Sequence, residues 1–133
     1  MTQRYRFKVD KLIRDKLPDI MRKDNIFAFE RVMETDEYVK RLKDKLLEEA
    51  KEVVQARNRS AVKEELADLL EVIHALSLAQ GLSYQECEDA RLKKKDEKGG
   101  FERRVYNAYV EMDSDNKSIG YYQARPDEYP EVK

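Results

Sequence analysis

The stretch KLLEEAKEVVQARNRSAVKEELADLLE, Lys45 to Glu71, decides the fold. Its periodicity predicts two helices joined by a short polar turn, each carrying acidic residues three apart. The first pair is Glu49 and Glu52, preceded by Glu48; the second is Glu65 and Asp68, flanked by Glu64 and Glu71. Residues three apart share a helix face, so each helix offers two neighbouring carboxylates. A short connection makes the helices antiparallel neighbours, which would bring the two pairs together.

Acidic residues on a helix ordinarily face water, but the wheel positions argue otherwise. Stepping ~100° per residue from Leu46, the apolar arc of the first helix passes through Leu42, Ala50, Val53 and Val54, and Glu49 falls in it between Leu42 and the Tyr38/Ala56 position. Glu52 lies on the border and Glu48 just outside. On the second helix Glu65 falls between Val72 and Leu76, with Asp68 at the edge beside Ala61. Lys45 is one turn from Glu49 and offers it a local ion pair. Glu65 has no cation three or four residues away, and Asp68 has three acids there, Glu64, Glu65 and Glu71. Like-charge helical pairs cost a few tenths of a kcal/mol each, and burying an unpaired carboxylate costs several. Such a cluster asks for a compensating cation. An all-oxygen donor set without nearby His or Cys suits a hard ion, Mg²⁺ or Mn²⁺.

The composition fits a folded helical chain. At 133 residues with 4 Gly and 3 Pro, a single mainly α domain is expected, arranged as an antiparallel helical bundle. Charged residues make up 41% and mean hydropathy is −0.89, yet the apolar positions are periodic enough to fold. A net charge of −1 argues against a general nucleic-acid or membrane binder. The lone Cys87 excludes an internal disulfide, and with no signal or apolar span a cytoplasmic location is expected. Cys87 and His74 are both single, and neither has an evident catalytic partner.

Outward from the central stretch, Tyr5–Asp10 reads as an extended lead, and Pro18 suits the start of a helix running to about Lys23. Asn25 suits a turn, and residues 26–33 (IFAFERVM) have strand-like aromatic and aliphatic density. Thr35 is the expected N-cap of the first long helix, ending near Arg57, and Ser60 that of the second, ending at Gly81. Ser83 with Glu86 forms a capping box for a third helix reaching about Lys98, which Gly99-Gly100 breaks. Residues 101–112 fit helix or strand. Residues 1–112 are read as the domain and 113–133 as an irregular tail on it. Arg91–Arg104 (RLKKKDEKGGFERR) holds seven Lys or Arg against three acids. This suits either a solvated helix end or neutralisation of phosphate beside a metal site.

Glu48-Glu49-x-x-Glu52 followed by Glu65-x-x-Asp68 resembles the EExxE…ExxD signature of the all-α nucleoside triphosphate pyrophosphohydrolases. The opening KLIRDKLPDIM and the late LKKKDEKGGFERR resemble a small MazG-like branch often labelled phosphoribosyl-ATP pyrophosphohydrolase-like. Together the motifs span about Lys11 to Arg104. The branch often has Arg where this chain has Lys98, a change that keeps charge but loses a bidentate fork.

The resemblance implies hydrolysis of a nucleotide between its α and β phosphates to a monophosphate and pyrophosphate. It makes Glu49, Glu52, Glu65 and Asp68 the Mg²⁺ ligands, with Mn²⁺ a substitute. Glu48 becomes an outer ligand or water-orienting base. Lys11, Arg14 and Lys16, with Lys95, Lys98 and Arg103, become substrate contacts. It also implies a homodimer or higher homo-oligomer. Housekeeping of the nucleotide pool is the expected role, with phosphoribosyl-ATP hydrolysis in histidine biosynthesis as the alternative. Two further readings differ in class: a non-enzymatic helical interaction module, and a nucleotide-binding regulator that turns over poorly.

Overall fold

The computed structural model describes residues 2–133. Among them, five helices occur in the order α1 (Leu17–Lys23), α2 (Thr35–Gln55), α3 (Arg59–Ala79), α4 (Tyr84–Lys98) and α5 (Ile119–Gln123). No strand occurs among the described residues, so the all-α expectation holds. The chain divides after Glu97 into two compact units.

The first unit is built on the α2–α3 hairpin. A connection of only Ala56 to Asn58 turns the chain back, and among the described residues these are the only two helices that pack backbone against backbone. The ends are set by local chemistry. Asn58 is extended (φ −137°, ψ 164°), and its side chain accepts a hydrogen bond from the Ala61 N–H at 2.9 Å. Asn58 therefore caps α3, and Ser60, the expected cap, lies inside the helix. Asparagine caps as well as serine does, so the earlier residue that can take the extended conformation starts the helix.

Thr35 is likewise the first residue of α2, after an extended Glu34 that supplies no side-chain cap. At the far end of α3, Gly81 has φ +76°. Its N–H donates to the Leu78 carbonyl and that of Leu82 to the Ser77 carbonyl, the Schellman pattern for which glycine is favoured. The capping box of α4 forms as read: Ser83 N–H donates to Glu86 Oε2 at 2.7 Å, and Glu86 N–H to Ser83 Oγ at 3.1 Å. The Tyr84 ring stacks on His74 with centroids 3.7 Å apart, so His74 and α4 meet through packing.

Residues 26–33 do not form the expected strand. A strand needs a hydrogen-bonded ladder, and within this segment only Ile26 makes a backbone hydrogen bond, to Met21. Side chains hold the segment instead. Arg4 and Arg6 lie over the rings of Phe27 and Phe29, with 5.1 and 4.9 Å to the centroids. Arg31 makes two hydrogen bonds to Glu37 in the first turn of α2, at 2.7 and 2.6 Å. Asn25 turns the chain with φ +60°.

The second unit holds neither helix nor strand over residues 104–112. The tail expected to be irregular contains α5, around which Tyr121, Tyr122 and Tyr129 cluster with centroids 5.0–5.9 Å apart. Arg125 lies 4.0 Å above the Tyr121 ring. These aromatic contacts supply the tertiary support that a five-residue helix lacks on its own.

Candidate active site

Pairing of α2 with α3 brings Glu49, Glu65 and Asp68 together. Each contributes one carboxylate oxygen to a group whose atoms all lie within 4.8 Å of one another. The Glu49 side chain is the most enclosed, with 12% of its surface exposed, against 41% for Asp68. Glu52 is exposed and lies outside this tight group. Its charge still reaches Glu65.

The electrostatics of the acids diverge. Partial burial raises the Glu65 pKa above its ordinary value, and the charges of Asp68, Glu49 and Glu52 push the same way. A hydrogen bond with Glu49 adds to the shift by favouring the protonated form. Glu48 moves in the opposite direction. The Lys11 ammonium hydrogen-bonds to it at 2.9 Å and lowers its pKa against the cost of burial, with Lys45 assisting from 3.2 Å. A carboxylate held anionic in this way is a weak proton acceptor, so it suits orienting a water better than deprotonating one.

Three cations supply part of the compensation, of which only Lys45 was expected beside a metal. Lys45 lies 3.7 Å from Glu49, the local pair expected. The other two come from the opening segment: Lys11 on Glu48, and Arg14 Nη2 on Asp68 Oδ1 at 2.7 Å. Asp68 therefore has a partner that no inspection of its own helix reveals, since Arg14 is 54 residues away. The Lys11 pKa is raised, chiefly by its hydrogen bond to Glu48, with Glu52 and Glu49 contributing through their charges.

The structure thus gathers Glu48, Glu49, Glu65, Asp68, Lys11 and Arg14, with Glu52 at the rim. Lys16 is exposed, and its side chain makes no hydrogen bond or ion pair among the described residues. Lys95 lies on α4, Lys98 is its last residue, and Arg103 follows the Gly99-Gly100 break, where Gly99 has φ +87°. Arg103 and Lys98 belong to the second unit.

The donor set fits a hard divalent cation. It is all oxygen and all carboxylate, and two helices hold it, which fixes the spacing more firmly than a loop would. Among the described residues, no helix is long and apolar enough to cross a membrane. The phosphoribosyl-ATP pyrophosphohydrolase family profile matches residues 14–95, which take in Arg14 and all five acids but leave out Lys11, Lys98 and Arg103. No curated protein and no solved structure matches the chain.

Proposed function

The chain belongs to the phosphoribosyl-ATP pyrophosphohydrolase family, and from that premise we propose that it hydrolyses a nucleotide between its α and β phosphates, releasing a monophosphate and pyrophosphate. The observation that carries this reading is the convergence of Glu49, Glu65 and Asp68 from two helices onto one small volume. In an acid-anhydride hydrolase these carboxylates, with Glu52 at the rim, hold Mg²⁺, for which Mn²⁺ can substitute. Bound there, the ion supplies Lewis-acid polarisation of the phosphate and a lowered pKa for an attacking water.

The chain's own residues divide the remaining work. Glu48, anchored by Lys45 from its own helix, orients the water through its anionic oxygens. Lys11 and Arg14 lie at the edge of the cluster, where phosphate oxygens of a nucleotide would arrive, and their charge favours that arrival. Lys95, Lys98 and Arg103 keep the role of phosphate contacts on the sequence resemblance alone.

A nucleoside triphosphate handled in pool housekeeping and phosphoribosyl-ATP fit the arrangement equally well, and the family description favours testing the second beside the first. Pyrophosphate release from a panel of nucleoside triphosphates and phosphoribosyl-ATP, with Mg²⁺ and with EDTA, is the deciding measurement. Release that EDTA abolishes is expected, and the best substrate separates the two roles. No release from any nucleotide by the folded protein would overturn the assignment and favour the interaction-module reading. A cytoplasmic homo-oligomer is the accompanying expectation.

A further inference from the structure

The two ion pairs that the opening segment makes with the cluster have an unusual placement. Lys11 pairs with Glu48 on α2 and Arg14 with Asp68 on α3, so neighbouring cations bridge from one segment to both helices of the hairpin. No backbone hydrogen bond fixes residues 2–13. The side chains of Lys11 and Arg14 are 55% and 61% exposed, so either can swing away without breaking packing.

We infer that Lys11 and Arg14 are exchangeable counter-ions, resting on Glu48 and Asp68 without metal and passing to substrate phosphate oxygens once the cation is bound. The inference rests on the proposed function and deepens it by assigning an order of binding, metal before phosphate. Charge supplies the argument. Glu48, Glu49, Glu52, Glu65 and Asp68 carry five negative charges when ionised, and Lys11, Arg14 and Lys45 return three. The remainder matches one divalent ion.

With the ion in place, Arg14 faces a second cation across the Asp68 carboxylate, and the two compete for the same oxygens. An arriving pyrophosphate group brings several further negative charges to the same edge. Both opening-segment cations are then better satisfied by phosphate than by carboxylates already neutralised. Exposed ion pairs are weak, so the exchange starts from a shallow minimum.

Calorimetry tests the exchange through two titrations, Mn²⁺ alone and then pyrophosphate at saturating Mn²⁺. They are run on the wild-type chain, on Arg14→Gln and, independently, on Lys11→Gln. Removing a competing cation tightens Mn²⁺ binding about two- to fivefold, the scale of an exposed ion pair. Removing a phosphate ligand weakens pyrophosphate binding roughly tenfold. Opposite signs in the two titrations are the expected signature, and Arg14→Lys restores most of the pyrophosphate affinity.

Mn²⁺ affinity that is unchanged or lower in both variants would make the pairs static supports and overturn the inference. If the wild type meanwhile binds Mn²⁺ and releases pyrophosphate from a nucleotide, the proposed function stands without it. A wild type that binds no Mn²⁺ overturns both.

Discussion

At the scale of single residues, Glu65 carries the sharpest consequence. Its pKa is raised because partial burial and three neighbouring acids disfavour its charge, and no cation among the described residues pairs with it. Glu65→Gln keeps the shape and removes the charge. The metal-free variant is therefore expected to melt at a higher temperature than wild type near neutral pH, with the difference shrinking as pH falls through the carboxylate range. The sign follows from linkage: a carboxylate whose folded pKa is raised costs no stability below the unfolded pKa, and the loss grows as pH rises and is complete above the folded pKa. Turnover should drop by more than about a hundredfold, beyond the usual effect of an outer-shell substitution at a metal centre. Thermal melts in EDTA and a pyrophosphate assay measure the two halves. A variant that melts lower without metal and keeps Mg²⁺-dependent turnover would remove Glu65 from the site.

At the scale of elements, the hairpin depends on how its ends are tied. Asn58 caps α3 where the chain reverses. Asn58→Ala is expected to cost about 1 kcal/mol. A melting point lower by roughly 3–5 °C, with the metal site intact, would report it. Arg31 ties residues 26–33 to α2, and its hydrogen bonds lower the Glu37 pKa below the ordinary 4.5. A lowered folded pKa contributes stability above the unfolded value and loses it as pH falls through the folded one. Arg31→Gln should therefore lower the melting temperature at neutral pH and match wild type in acid. A difference that persists in acid would mean that Arg31 acts through packing rather than charge.

These ties also show where sequence reading reaches its limit. The helix spans, the Ser83–Glu86 box and the glycine at Gly81 are local chemistry, written within a few residues of where they act. The meeting of Glu49 with Glu65 followed from periodicity and a three-residue connection. Arg14 on Asp68 and Lys11 on Glu48 were not legible, because nothing in an isolated charge states which distant acid it meets. Residues 26–33 have strand composition, but β-propensity expresses a fit to neighbouring strands, and here two arginines occupy the Phe27 and Phe29 rings instead.

On the scale of the whole molecule, the apolar surface of the hairpin calls for a partner. Leu42 and Val72 are the only buried members of the hydrophobic core among the described residues. Leu47 and Val54, seven residues apart, form a stripe on α2 and are 72% and 83% exposed; Leu66 and Leu70, four apart on α3, are 43% and 48% exposed. Fully burying one exposed side chain of this kind contributes about 1.5–3 kcal/mol and a half-exposed one about half that, so leaving all four in water forgoes several kcal/mol. At ~100° per residue, these stripes lie roughly 100–200° around their helices from Glu49, Glu65 and Asp68. A second copy can therefore cover them without occupying the carboxylates. Sedimentation at micromolar concentration should accordingly give at least twice the 15.8 kDa chain mass. Leu47→Glu combined with Leu70→Glu should return the protein towards a monomer that still binds Mn²⁺, since the charges enter away from the acidic cluster. A wild-type monomer would show that the hairpin tolerates this exposure. Loss of Mn²⁺ binding in a folded double variant would show instead that association helps shape the carboxylate cluster.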